Sequence, residues 1–293
     1  MDLAHVAMPS RDGIGPFTCF DQRWQITADD PVLLALIDEL FAPLRTNGAP
    51  GTSSVSYRIE HIGDGATYEV YRDDQPLPSS KQSSRTIGKL VWGINRQVID
   101  GAMDRLVLHA AAAAADDGRV VLLPAPMEAG KTTLVTGLLD RGLAYLTDEA
   151  ATVDPDLTVH GYAKPLSIDK GSWSLFEHHR PQLGDRLASL MAHQWQVPPH
   201  TFTRVIPNGR LTLIVFPAYD PEAPTTVERL NPIGALDHIR ESTFAREGQP
   251  IPATKIASLA NIVEQVPCFA LRSGDLAEAC TQVLHLLEGT DHV

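Results

Sequence analysis

Gly130-Lys131-Thr132-Thr133 stands where an apolar run, Arg119 to Leu123, gives way to a helical pattern with Leu134, Leu138 and Leu139 on one face. A second short apolar run, Leu143 to Leu146, then leads into Asp148 and Glu149. Strand, loop, helix, strand and acidic pair, in that order, is the layout of a nucleoside triphosphate site. Amides of the loop and the helix N-terminus suit phosphate oxygens. Lys131 would reach the terminal phosphates, while the Thr132 hydroxyl and a carboxylate from the next strand would hold Mg2+. Met127, Glu128, Ala129, Gly130, Lys131, Thr132 and Thr133 are therefore the expected nucleotide-binding residues.

The phosphate-loop pattern GxxxxGK(S/T) begins with glycine, and here that position is Ala125. A carboxylate at Glu128 would repel a triphosphate unless it turned away or met a cation. The bland alternative is a chance Gly-Lys-Thr at a helix start. A strand before it and an acidic pair after it are the context that the motif demands, which argues for the site.

Elements that must position this loop lie on both sides of it. A boundary near residue 103 separates an expected small α+β domain, 1–103, from a nucleotide-binding domain, 104–293. In the first, Phe17 to Ile26 reads as a strand, and Asp29 or Asp30 with Pro31 starts a helix through VLLALIDELFAPL. SVSYRIEHIG and ATYEVYRDD alternate as half-buried strands about a Gly-Asp-Gly turn, and TIGKLVWGINRQVIDGAM turns Leu90, Val91, Ile94 and Ile99 inward. In the second, Asp154-Pro155-Asp156 marks a turn and LTLIVFPAYD reads as a central strand. A helix starts at Pro232 behind Asn231, PATKIASLANIVEQV is another, PCFALRSG is a strand, and a terminal helix is capped near Asp275.

The chain has 293 residues, a net charge of −12 and a pI near 5.3. That charge argues against a general nucleic-acid binder or an anionic-membrane binder, either of which needs a basic face. No run approaches the ~18 apolar residues of a membrane helix, and the N-terminus lacks the layout of a secretory signal. Cys19, Cys268 and Cys280 are odd in number and far apart, without metal-ligand spacing. Buried, reduced thiols in a cytoplasmic protein are the simplest reading.

The stretch from His109 through Asp148-Glu149 resembles the catalytic core of HPr kinase/phosphorylase and its bacterial HPr-kinase-related relatives. Carrying the resemblance are His109 on the strand before the loop, Gly130, Lys131 and Thr132 within it, and Arg141-Gly142 closing the helix. The acidic pair and the following YAKPLSI complete it. IVFPAYDPEAPTTVERLNPIGAL is similar to the related kinases, and the likeness spans about residues 105 to 290. It implies an α/β fold: a mixed sheet with a phosphate loop similar to the phosphoenolpyruvate carboxykinase/HPr kinase core, beside the small N-terminal domain. It implies ATP and Mg2+ as cofactors and phosphoryl transfer to a serine or threonine hydroxyl of a peptide or protein. Some relatives phosphorylate ribosomally made peptides. Homo-oligomerisation stays open. Arg204 and Arg210 are candidates for the family's arginine-bearing loop.

On this basis Lys131 neutralises the β- and γ-phosphates, Thr132 and Glu149 hold Mg2+, and Asp148 takes the proton of the incoming hydroxyl. His109 stabilises charge at the γ-phosphate or is a partly buried strand histidine. Lys164 and Lys170 are expected at the surface rather than as phosphate clamps, and Trp173 and Trp195 in packing rather than in a peptide groove. A kinase for a small-molecule hydroxyl, or a nucleotide-binding module without transfer activity, are the competing functions.

Overall fold

The computed structural model describes residues 13–47, 54–62, 68–78 and 86–289. The expected Gly63-Asp64-Gly65 turn, most of the loop after Leu77 and the residues before Gly13 lie outside these. The chain divides into two compact units: Met1–Ala102 with Lys164–Thr201, and Met103–Ala163 with Phe202–Val293. Sequence alone places one boundary near residue 103; the fold instead gives Lys164–Thr201 to the first unit.

The first unit opens with the antiparallel strands β1 (Ile14–Cys19) and β2 (Gln22–Ala28). Sequence suggests a single strand over Phe17 to Ile26. The chain reverses inside that run because Phe20 and Asp21 both take left-handed backbone angles, φ 46° and 67°, the paired conformation that joins two-residue hairpins. Helix α1 (Pro31–Leu40) follows, capped as expected: the Asp30 carboxylate accepts from the amides of Val32 and Leu33 at 3.0 and 3.1 Å. Its Leu33, Leu36, Ile37 and Leu40 are fully buried. β3 (Val55–His61) then pairs parallel with β2, so α1 serves as the crossover that parallel pairing requires. β4 (Tyr68–Arg72) and β5 (Gln75–Pro76) complete a five-stranded sheet. Helix α2 (Thr86–Gly101) buries Leu90, Val91, Ile94 and Ile99, and the Tyr57 hydroxyl lies 3.0 Å from both Gly93 O and Gln97 Oε1.

The second unit begins with β6 (Val107–Ala114) and β7 (Arg119–Pro124), paired antiparallel, and then helix α3 (Lys131–Leu139). β8 (Ala144–Thr147) and β9 (Ala150–Val153) both lie along the other edge of β6, and β10 (Thr158–Gly161) pairs with β9.

The first unit resumes with β11 (Leu166–Asp169), the short helix α4 (Asp185–Ser189) and β12 (Gln194–Val197), which pairs antiparallel with β11. Trp195 is buried and stacks on the half-buried Trp173 with ring centroids 4.6 Å apart. Lys170 is exposed. Lys164 is not where sequence places it: the side chain is fully buried, and Nζ donates to Pro165 O and Ser167 Oγ at 3.0 and 2.9 Å.

β13 (Asn208–Tyr219) returns to the large sheet, followed by β14 (Thr226–Arg229), α5 (Pro232–Glu241), α6 (Ala253–Gln265), β15 (Cys268–Ser273) and α7 (Leu276–Gly289). The eight-stranded sheet runs β10-β9-β6-β7-β13-β15-β14, with β8 beside β6. β13 is central, as expected, between β7 and β15 and parallel to both. β10 also pairs with the start of β13, so β10, β9, β6, β7 and β13 close into a ring. One face of the sheet packs Leu108, Ala110, Leu122 and Ile214 against Ala235, Ile239, Leu259 and Ile262 of α5 and α6. Strand alternation sends Ala111, Val121 and Leu123 to the opposite face, where α3 and α7 cover the sheet. The result is a mixed α/β layered architecture. All three cysteines are buried and free.

Candidate functional site

Everything at the site follows from where β7 stops. Its residues Val120 to Leu123 are fully buried, and the chain emerges at the C-terminal edge shared by the parallel strands β7, β13 and β15. Ligands of α/β sheets bind at that edge. The loop from Ala125 to Gly130 turns the chain directly into α3. Gly130 forms the helix N-cap with φ 86°, a conformation that costs a side-chain-bearing residue about 1–2 kcal/mol. No side chain caps α3, and an α-helix supplies no acceptors to the amides of its own first turn. Met127 is 63% exposed, Glu128 is exposed and Ala129 half-buried. Glu128 also adopts the left-handed conformation, φ 65°, although it is not a glycine.

Lys131 does not extend into solvent. It is 6% exposed, and its ammonium donates to Ala125 O at 2.8 Å and to Pro126 O at 2.7 Å. Burial pulls its pKa down to about 8, against the opposing pull of Glu149 and Asp148. Both acidic groups therefore act on the lysine through space, and the residues singled out from sequence gather at one end of the sheet.

Asp148 and Glu149 interrupt what would otherwise be one long strand along β6. Thr147 faces Ala112, Ala150 faces His109, and the Ala110 amide donates to Glu149 O at 3.2 Å. As expected, the pair directly follows a strand, β8; β9 begins at once after it, and the Thr147 hydroxyl oxygen pins the junction by accepting the amides of Glu149 and Ala150. The two side chains have different partners. Asp148 is 3% exposed; its Oδ1 accepts from the Tyr145 hydroxyl at 2.8 Å, and its Oδ2 lies 3.4 Å from Thr132 Oγ1. Glu149 is 28% exposed and lies 3.9 Å from His109 Nε2. His109 rests against the Phe244 ring, with centroids 5.5 Å apart.

Thr132 Oγ1 donates a hydrogen bond to Asp148 Oδ2, and the same two oxygens are spaced to suit a hard cation. Adjacent ligands of octahedral Mg2+, each at about 2.1 Å, stand roughly 3 Å apart, close to the 3.4 Å found.

Tyr145 carries no mark in the sequence. Three residues before Asp148 on a regular strand, its side chain would face away. The register steps by one between Tyr145 and Thr147, and that bulge, which leaves no sequence signal, turns the hydroxyl toward the carboxylate. Arg204 and Arg210 are at the wrong end for the loop. Arg204 pairs with Asp116 in the β6–β7 turn, and Arg210 sits opposite Arg119 at the start of β7. A strand of that length carries them roughly 17 Å from the loop.

No family model matches the chain, and no curated protein matches it. Among solved structures, the Hpr(Ser) kinase/phosphatase from Coxiella burnetii is similar at 13% identity and a TM-score of 0.33, over 61% of this chain and 96% of that one. A TM-score that low does not bear on activity. No helix among the described residues is long and apolar enough to cross a membrane.

Proposed function

We propose that the chain binds ATP with Mg2+ at the Ala125–Gly130 loop and transfers a phosphoryl group to a serine or threonine hydroxyl of a peptide or protein. The observation that carries this reading is the convergence of Lys131, Thr132 and Asp148 at an uncapped helix start on the C-terminal edge of the sheet. Phosphoryl transfer asks chiefly for positioning and charge neutralisation, and these groups supply both.

Lys131 exchanges its two loop carbonyls for phosphate oxygens. Thr132 and Asp148 would hold the cation, which would supply neutralisation of charge on the phosphates. Sequence alone gives the cation to Glu149 and the proton to Asp148, but distance and exposure support the reverse. Asp148 is nearly inaccessible, with one oxygen taken by Tyr145 and the other facing Thr132. Glu149 is open enough to meet an incoming hydroxyl, and His109 beside it can stabilise or share the proton. An acceptor oxygen that loses its proton to Glu149 attacks the terminal phosphorus, and ADP leaves.

A nucleotide-binding module without transfer is the second reading. Glu128 places a carboxylate at a left-handed position of the loop that glycine would suit better, so the loop departs from the pattern that transfer enzymes share. Incubation with γ-labelled ATP, Mg2+ and a serine- and threonine-bearing peptide library decides between the two. Label in a peptide hydroxyl, lost in Glu149→Gln while nucleotide still binds, supports transfer. Binding with no label in any acceptor favours the nucleotide-binding module.

A further inference from the structure

The loop that follows β7 has one neighbour that no phosphate chemistry uses. β13 runs parallel beside β7 and ends at Tyr219, on the same edge of the sheet. Tyr219 touches the loop: a side-chain carbon placed on Gly130 would lie 3.2 Å from Tyr219 Cβ. Yet the tyrosine is 63% exposed, as is Met127 within the loop.

The backbone behind this ring is held firmly. Asp220 donates its amide to Ser273 O at 3.1 Å, and its carboxylate accepts from the Arg272 guanidinium and from the Glu222 amide. Gly274 closes over the same turn so tightly that any side chain there would stand 2.7 Å from Asp220 O. An exposed aromatic on a fixed turn is preorganised, since little order remains to be imposed when a flat partner arrives.

We infer that Tyr219 is the stacking platform for the purine base of the nucleotide whose phosphates the loop holds. This rests on the nucleotide reading above and extends it to the other end of the ligand. The tyrosine lies beside Gly130, within reach of a nucleotide whose phosphates take the loop amides. Stacking reads the flat face of a base rather than its hydrogen-bonding edge, so the platform does not separate adenine from guanine.

The test compares Mg2+-ATP with inorganic tripolyphosphate, which has the phosphates and no base. Calorimetric titrations are run on the intact wild-type chain, Tyr219→Ala and Tyr219→Phe. Aromatic stacking of one base is lost at a cost of about tenfold or more in affinity. Tyr219→Ala is expected to weaken ATP binding by at least that factor while tripolyphosphate affinity stays within about twofold, and Tyr219→Phe is expected to bind ATP like the wild type. Unchanged ATP affinity in Tyr219→Ala, or an equal loss for both ligands, overturns the platform and leaves the phosphate site standing. A wild-type chain that binds neither ligand overturns both.

Discussion

The hydroxyl of Tyr145, fully buried, donates to Asp148 Oδ1 at 2.8 Å. Burial first, and Asp148 second, push that phenol well above its ordinary range. It therefore stays protonated and keeps one carboxylate oxygen fixed while the other faces Thr132. Tyr145→Phe leaves a buried acceptor short of a partner, a loss of about 1–3 kcal/mol. Urea melts should show that destabilisation. In the folded variant the Mg2+ concentration for half-maximal nucleotide binding should rise, whereas an unchanged Mg2+ requirement would separate Tyr145 from the cation site.

Glu128 is expected to limit the loop. Its left-handed conformation costs about 1–2 kcal/mol that glycine would not incur, and its charge opposes the phosphates. Glu128→Gly should bind Mg2+-ATP several-fold more tightly and melt no lower than the wild type. Weaker binding in this variant would mean that the carboxylate itself serves the ligand.

In the first unit, Asp30 predicts a specific acid sensitivity. Burial alone would raise its pKa, but hydrogen bonds from Arg186, Tyr68 and the Leu33 amide outweigh it and hold the group at about 2. An unfolded aspartate titrates near ~3.9. The folded carboxyl binds its proton less readily, so its stabilisation is complete above about pH 4 and is lost as pH falls toward about 2. Asparagine caps helices comparably. Asp30→Asn should therefore keep α1 capped while flattening the decline in stability between pH 4 and 2, as read from urea melts across that range.

The exchange of roles between the acidic neighbours gives a paired prediction. Asp148→Asn should lose Mg2+-dependent nucleotide binding, and Glu149→Gln should bind Mg2+-ATP almost normally but transfer no phosphoryl group. The opposite pattern would restore the assignment drawn from sequence.

Helices with caps and a clean apolar face are legible in the order of residues alone. Asp30-Pro31, Asn231-Pro232 and Asp275 each begin a helix where residue chemistry requires it. β13 is equally plain, because a parallel strand covered on both faces reads as a continuous apolar run. The alanines of β6 are not legible from propensity. Alanine is the best helix former, yet Ala110 to Ala114 form a wholly buried strand with neighbours on both edges. Tertiary pairing decides that segment. Lys164 and Tyr145 escape sequence reasoning for a related cause: burial and the strand bulge depend on partners distant in sequence or on register. The nearness of Lys131 and Thr132 to the acidic pair is expected from the motif and that of His109 from the resemblance alone, but which carboxylate faces which partner needs the distances.

Calorimetric titration of Mg2+-ATP into the wild-type chain and Lys131→Ala asks whether the loop around Lys131 holds a nucleotide at all. Lys131 is buried against its own loop and bonded only to two loop carbonyls among its described hydrogen bonds, so saturable 1:1 binding is expected, weakened by at least about tenfold in Lys131→Ala. A folded wild-type chain that takes up neither ATP nor GTP, or a Lys131→Ala variant that binds as tightly as the wild type, would contradict it.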